Sequence, residues 1–376
     1  MQKVLIIGGG FAGLSAAVKL GSFNKDLDIT VVDGKDYFEF LPMLPDVIGG
    51  RVNPGYLRAS IPQIGKRCGF KFSSGEIISL YQEENKALSS HGIFYYDYLI
   101  IASGSATNFY GDRVIERRAF KLDNVMDALE IREVISKEEF DTYVISGGGY
   151  TGVEIATNIR RFLKKNRRSG NIVIVEKTGS ILGPLPQWMK HYAIRNLRNM
   201  NIEILMGRSI EKVESDTVFI SGDRQCRNAM LIWSAGVKTS DYIQNLNVAK
   251  GRQGRIKVNQ YLKFHNNAFA IGDAAEVYHR DTPLRMAVQF SIAEGNVVAE
   301  NIIRSIKGKK LRPYRPIDLG YIIPMANNSS CGTVLGLDVT GPMATFFHYM
   351  MCLYRSYGIR NKFGILGDVS LSRNRF

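Results

Sequence analysis

Val4-Leu5-Ile6-Ile7-Gly8-Gly9-Gly10-Phe11-Ala12-Gly13, close to the first residue of the chain, decides the fold. Four apolar residues read as a buried strand, G-x-G-x-x-G follows directly, and a helix pattern lies behind it. Gly8 permits the tight turn, and Gly10 lets the backbone approach a pyrophosphate. Gly13 lets the helix pack close to the strand, while the N–H groups at the helix start, among them those of Phe11 and Ala12, face the phosphate charge. The device then recurs. Tyr143-Val144-Ile145-Ser146 runs into Gly147-Gly148-Gly149-Tyr150-Thr151-Gly152, 139 residues later. Gly147, Gly149 and Gly152 take the same three parts. One such turn is weak on its own; two imply two dinucleotides on one polypeptide.

Each turn has a matching acid. Asp33, with Gly34 beside it, ends the strand Asp28-Ile29-Thr30-Val31-Val32, and Glu176 ends Asn171-Ile172-Val173-Ile174-Val175. A carboxylate there accepts hydrogen bonds from a ribose diol and repels a 2′-phosphate, so NAD-type rather than NADP-type ligands are expected. The plainer reading of either acid is a solvated turn residue at a strand end.

At 376 residues and 45% hydrophobic content, the chain has room for two or three packed domains. Met1-Gln2-Lys3 leads straight into the first strand, so no signal peptide is expected. No run approaches the ~18 apolar residues of a membrane span. Cys68, Cys226, Cys331 and Cys352 form no C-x-x-C pair, which argues for a reducing compartment without a zinc site or a local redox disulfide. The five histidines show no ligand spacing, so no metal is expected. The net charge is +14, with eleven Lys/Arg against three acids from Arg304 to Phe376. A second basic cluster, Arg160-Arg161, Lys164-Lys165 and Arg167-Arg168, closes the helix after the second glycine turn, where cations complement the helix C-terminus. No nucleic-acid module accompanies this charge, so nucleic acid is not an expected partner.

The pattern runs strand, turn, helix (about 11–23) and strand (28–33), then a loop-rich stretch from Asp36 to Pro62 and short strands to the run ending at Ala102-Ser103-Gly104. A helix from Asp127 to Phe140 precedes the second β-α-β unit (143–176). After a helix near 187–199 and strands near 202–220, Met230-Leu231-Ile232-Trp233-Ser234-Ala235-Gly236 returns to the theme of an apolar strand ending in a small-residue turn. Asn267-Ala268-Phe269-Ala270-Ile271-Gly272-Asp273 sets an acid after another short strand, followed by helical periodicity from Met286 to Ile306. The fold class is therefore α/β with two Rossmann-like domains, the second inserted in the first. The expected boundaries are 1–108, 109–234, 235–310 and a basic, methionine-rich C-terminal module at 311–376.

With these motifs in place, the chain resembles the two-dinucleotide flavoproteins, and within them the type II (non-proton-pumping) NADH:quinone oxidoreductases. The resemblance implies FAD on the first turn and NADH on the second, with Ala102-Ser103-Gly104 and Ser234-Ala235-Gly236 as the crossings between the two domains. It implies that Asp273, after Gly272, bonds the ribityl chain of the flavin, and that Glu154 lies near where nicotinamide meets flavin. From the residues alone, Glu154 is equally a helix N-terminal carboxylate favoured by the dipole. The helix beginning near Arg285-Met286-Ala287 is expected to point its N-terminus at the flavin.

The family carries an Ala-Gln…Ala-x-Gln-Gln-Gly pattern on that helix. Here Gln289 and Gly295 are kept, but the Gln pair is Ala293-Glu294. Glu294 is open between a proton donor beside a quinone and a solvated helix residue. The C-terminus is again similar to the family: Met343, Phe346, Phe347, Met350, Met351 and Tyr354 make one apolar helix face, and Gly358-Ile359-Arg360-Asn361-Lys362 matches its closing turn. In the family this region holds the enzyme to the bilayer, which implies a peripheral protein on the cytoplasmic face of the cell membrane, with a cytoplasmic protein as the alternative. A core helix or a homodimer interface would show the same stripe. Sulfide:quinone chemistry lacks its cysteines here, since none occurs from Gly69 to Gln225. A reductase of a soluble ferredoxin or rubredoxin, and a non-catalytic redox sensor, are the remaining alternatives.

Overall fold

The structure, a computed structural model, describes residues 1–23 and 27–372. Arg373 and Arg375 of the basic C-terminal run lie outside the described residues. The chain divides into two compact units. Met1–Phe38, Ala59–Ala106 and Val237–Asp318 form the first; Glu39–Arg58, Thr107–Gly236 and Leu319–Phe376 form the second.

The first unit is built on a six-stranded sheet in the order Lys263–His265, Ala268–Ala270, Tyr98–Ile101, Gln2–Ile7, Leu27–Asp33, Lys71–Ser74. Every neighbouring pair is parallel except the first. Central parallel strands are covered on both faces and so read as continuous apolar runs. Ile6 is fully buried, opposite Val31 on one side and Ile100 on the other. The helices Phe11–Phe23 and Val288–Ile306 pack closely against each other. A Cβ on Gly295 would lie 2.4 Å from the Ala12 carbonyl oxygen, which is why that position carries no side chain.

The second unit repeats the plan with four parallel strands, Ile202–Met206, Asn171–Glu176, Thr142–Ser146 and Ala229–Trp233. Ile145 pairs with Ile174 and Ile232, and the helix Tyr150–Lys165 follows the turn. A three-stranded meander, Gly320–Ile323, Ser330–Val334 and Leu337–Thr340, then leads into two helices, Gly341–Arg355 and Ile359–Ser372.

Several elements differ from the expectation. The stretch from Asp36 to Pro62 contains the helix Leu44–Ile48, and a further helix, Ile61–Cys68, begins there with Ser60 as its cap. The helix expected from Arg285 starts at Val288, because Ala287 is extended at φ −154° and acts as the N-cap. Residues Ile359 to Lys362 are the first turn of a helix, not a terminating turn. Among the described residues no helix is long and apolar enough to cross a membrane.

The helix Gly341–Arg355 is built inside out. Ala344, Thr345, Tyr349 and Cys352 are its buried face, while Met343, Phe346, Met350 and Tyr354 are 62%, 56%, 46% and 78% exposed. Its successor continues the theme, with Ile359, Phe363 and Leu366 outside and Ile365 buried.

Candidate dinucleotide and acceptor sites

In the first unit the glycine turn has the geometry its motif requires. Gly8 sits at φ +105°, where a Cβ would be 2.3 Å from the Ala102 carbonyl oxygen. Gly13 is equally closed, its Cβ position lying 1.9 Å from the Gly8 carbonyl oxygen. Gly10 is different: beyond its own chain neighbours, no atom of the described residues lies within 4 Å of where its Cβ would be. That open space beside the helix N-terminus is what a pyrophosphate occupies in such a turn. Asp33 Oδ2 accepts the Gly9 N–H at 2.6 Å and Oδ1 accepts the Lys35 N–H at 2.9 Å, so the carboxylate is held at the mouth of the turn. Gly34 is tight against Glu76, 3.3 Å from its Cγ to a built Cβ. Phe11 stacks edge-on against Phe38 at 4.9 Å.

The other segments of the first unit gather a compact polar group. Ser103 Oγ accepts from the buried Tyr242 hydroxyl at 2.9 Å, and Gly104 turns at φ +68°. Asp273 Oδ2 accepts from Ser105 Oγ at 2.9 Å. Burial raises the Asp273 carboxyl, opposed by the Ser105 hydrogen bond and the Arg255 guanidinium. Gly272, at φ +63°, donates its N–H to Glu294 Oε2 at 2.6 Å. Glu294 is 3% exposed, so it is not a solvated helix residue. Its carboxyl is pushed up to about 8 by burial, with Asp273 adding to the shift and the Gly272 bond and Arg255 opposing it. Buried Arg255 thus faces three carboxyls, Asp273, Glu294 and Glu276. Gln289 lies apart from this group, its Nε2 bonding Asp318 Oδ1 at 3.0 Å beside the Arg285–Asp318 ion pair.

The second unit's turn matches the first nearly atom for atom. Gly147 sits at φ +106°, Gly152 would meet the Gly147 carbonyl oxygen at 1.9 Å, and Gly149 again has no atom of the described residues, beyond its chain neighbours, within 4 Å of its Cβ position. Glu176 Oε2 accepts the Gly148 N–H at 2.7 Å, while Oε1 accepts the Thr178 N–H and hydroxyl, each at 2.8 Å. Tyr150 and exposed Thr151 begin the helix. Gly236 turns at φ +82°, with the Tyr110 hydroxyl where a Cβ would stand.

Glu154, on the first turns of that helix, is half-buried, and its carboxyl is raised well above the usual range by desolvation and then by Asp46. Asp46 belongs to a buried knot that sequence reasoning missed. Tyr349 donates to Asp46 Oδ1 at 2.8 Å and receives a hydrogen bond from Arg51. Arg51 also donates to the Ala326 carbonyl at 2.8 Å and to Asn328 Oδ1 at 3.0 Å. His348, next to Tyr349, is pushed down to about 4 by burial. All four cysteines are unpaired thiols, and no group of His, Cys, Asp and Glu among the described residues could hold a metal ion.

Residues 2–295 match the family model of the pyridine nucleotide-disulphide oxidoreductases. The type II NADH:quinone oxidoreductase of Staphylococcus aureus (strain NCTC 8325 / PS 47) is 25% identical over 373 residues, covering 92% of each chain. Among solved structures, NDH2 from Plasmodium falciparum in complex with NADH superposes with a TM-score of 0.87 at 17% identity, covering 99% of this chain and 98% of that one. The sulfide:quinone oxidoreductase of Aquifex aeolicus gives 0.81 at 18% identity, covering 94% and 90%. These structural likenesses speak to the fold.

Proposed function

Because the chain belongs to the pyridine nucleotide-disulphide oxidoreductase family, we propose that it is an NADH:quinone oxidoreductase, transferring a hydride from NADH to FAD and passing the electrons to a membrane quinone. One observation carries the reading. Each unit holds an open, glycine-walled space at a helix N-terminus, and a carboxylate is already bonded to the neighbouring turn amide. The residues fit FAD in the first unit: Gly8, Gly10 and Gly13 for the pyrophosphate, Asp33 for the ribose and Asp273 for the ribityl chain. They fit NADH in the second, through Gly147, Gly149, Gly152 and Glu176.

Bound flavin supplies the two-electron chemistry, accepting a hydride and releasing electrons to the acceptor. The chain's own residues bind, orient and select. Helix N-termini at Phe11 and Tyr150 offer amides to phosphate charge, and Glu176 disfavours a 2′-phosphate. Quinone reduction to a quinol also consumes protons. Glu154 and Glu294, whose carboxyls burial raises above the usual range, are the groups proposed to carry them. Gln289 is proposed as an acceptor-side residue.

The inverted C-terminal helices support a membrane surface as the place of action. Apolar side chains on the outside of two consecutive helices are what an interfacial anchor presents, with Arg355, Arg360 and Lys362 supplying attraction to anionic headgroups. The proposed location is the cytoplasmic face of the cell membrane, with 311–376 as the anchoring module and 1–108, 109–234 and 235–310 as the interleaved nucleotide domains.

The test is NADH oxidation by the flavin-loaded protein on vesicles, with a quinone analogue and with air alone. Quinone-dependent turnover well above the air rate is expected. Turnover that needs an added ferredoxin or rubredoxin instead would overturn the assignment of the acceptor.

A further inference from the structure

The loop at 108–112, in the second unit, carries an aromatic side chain that neither the core nor the mechanism above uses. Tyr110 is 69% exposed. Its backbone sits at φ +54°, a left-handed conformation that a bulky residue adopts only at a cost. The backbone around it is nevertheless pinned. The Asn108 N–H donates to the Gly236 carbonyl at 3.2 Å, and Asn108 Oδ1 accepts the Tyr110 N–H at 2.8 Å. The Trp233 indole N–H reaches the Asn108 and Ala235 carbonyls, each at 3.0 Å, and its ring centre lies 6.0 Å from that of Phe109. Asp112 then caps the helix Arg113–Arg118 by accepting the Val114 and Ile115 amides, each at 2.9 Å. Anchored on both sides, Tyr110 is turned out of the core, with its hydroxyl against Gly236.

The sheet gives that place a meaning. Its strands run in the order Ile202–Met206, Asn171–Glu176, Thr142–Ser146, Ala229–Trp233, all parallel, and a dinucleotide lies across the carboxyl ends of such strands. Glu176 ends the second strand in this order and marks the ribose of the adenosine half. The open space for the pyrophosphate, at Gly149, follows the third. What remains of the ligand, its nicotinamide riboside, extends towards the end of the fourth, which is Ser234-Ala235-Gly236. That turn packs on the second glycine turn, since a Cβ on Gly147 would lie 3.1 Å from the Ala235 Cα. Its three residues are small, so the large side chain at this end of the crevice is the one the loop supplies, Tyr110.

We infer that Tyr110 binds the nicotinamide riboside half of NADH, covering it with the face of its ring. The inference rests on the reading that the second glycine turn holds NADH. An aromatic plane suits the flat nicotinamide, and contact with it buries ring surface that otherwise faces water.

The test uses the full chain loaded with FAD. Binding of NAD⁺, which leaves the oxidised flavin unreduced, is measured by calorimetry, and ADP, which shares only the adenosine half, is titrated alongside. The variants are Tyr110→Ala, Tyr110→Phe and, as a control at a similarly exposed tyrosine of the first unit, Tyr95→Ala. Tyr110→Ala is expected to weaken NAD⁺ roughly tenfold, as removing an aromatic plane from a stacked base does, and to leave ADP unchanged. Tyr110→Phe is expected to keep most of the NAD⁺ affinity, and Tyr95→Ala all of it. Tyr110→Ala that binds NAD⁺ as tightly as the wild type overturns the inference. So does an equal loss for ADP, which would reduce Tyr110 to a support of the loop. A wild-type protein that binds neither nucleotide overturns the reading of the second turn, and the role of Tyr110 with it. Circular dichroism identifies any misfolded variant. Should Tyr110→Ala be one, Tyr110→Asn carries the test, because asparagine tolerates the left-handed backbone while lacking the ring.

Discussion

Gly10 and Gly13 stand three residues apart and fail differently when enlarged. Gly10→Val adds its side chain to space that no other described residue fills, so the fold is expected to persist while flavin is lost. Gly13→Val drives a methyl into the Gly8 carbonyl, 1.9 Å from the Cβ, and is expected to cost soluble protein altogether. Flavin absorbance per folded protein separates the two outcomes; a yellow Gly10→Val protein at full occupancy would refute the first site. At the second site Glu176→Ala is expected to reduce the preference for NADH over NADPH by about 5- to 150-fold, the equivalent of about 1–3 kcal/mol, read as a ratio of kcat/KM. Because Glu176 also holds the Gly148 and Thr178 amides, Glu176→Gln is the gentler control. Glu294 gives a pH signature. Its folded-state value of about 8 lies above the ordinary 4.5, so the folded protein keeps a proton that the unfolded chain has lost between those limits. Stability therefore falls as pH rises through that window, by up to about 1.4 kcal/mol per pH unit from this group. Glu294→Gln should flatten the dependence of Tm on pH between about 5 and 8, and an unchanged slope would contradict the buried proton. The glycines and their acids were legible because G-x-G-x-x-G states its own geometry. Arg255 was not, since nothing in Gly251-Arg252-Gln253-Gly254-Arg255 marks one of two arginines as the buried partner of three carboxyls.

At the scale of elements, the helix Gly341–Arg355 showed its apolar stripe in sequence, but periodicity does not say which way a stripe faces. The structure turns it outward and buries Tyr349, whose hydroxyl bonds Asp46 across 303 positions of sequence. Substitutions on the two faces should therefore separate. Phe346→Ser with Met350→Ser is expected to leave stability within about 0.5 kcal/mol while weakening vesicle binding. Tyr349→Phe is expected to cost about 1–3 kcal/mol by removing the hydroxyl that donates to buried Asp46 and accepts from Arg51, with little effect on vesicles, as thermal melts and co-sedimentation would show. Removing residues 342–376 outright would take Tyr349 with it, so it is a poorer test than these outward changes. The helix Ile359–Ser372 escaped sequence reading because Gly364 and Gly367 break its pattern. Gly364 is there because the Tyr56 ring lies 2.6 Å from where its Cβ would be. The strands between Gly320 and Thr340 were hidden by proline and asparagine, which mark turns more strongly than three short strands mark a sheet.

For the whole molecule, the division of labour predicts two separable half-reactions. On the proposed reading, flavin reduction by NADH is expected to draw on the glycine turns, and quinone reduction on vesicles to need the outward C-terminal faces as well. The Phe346→Ser, Met350→Ser protein should keep the first and lose most of the second, as stopped-flow bleaching against steady-state quinone turnover would reveal. High salt should weaken vesicle binding by the intact protein without abolishing it, because screening reaches only the charge contribution. The two-unit plan was legible from a duplicated motif. The membership of Glu39–Arg58 and Leu319–Phe376 in the second unit was not, because it rests on contacts far apart in sequence. The inverted helices also bear on how the protein behaves in a test tube. In plain buffer a hydrocarbon strip has two refuges, an amphiphile or another copy of itself. Sedimentation mass without lipid or detergent should rise with protein concentration and collapse towards that of a single chain when micelles are supplied. A pair that survives saturating detergent would instead be a genuine assembly, held by some other part of its surface.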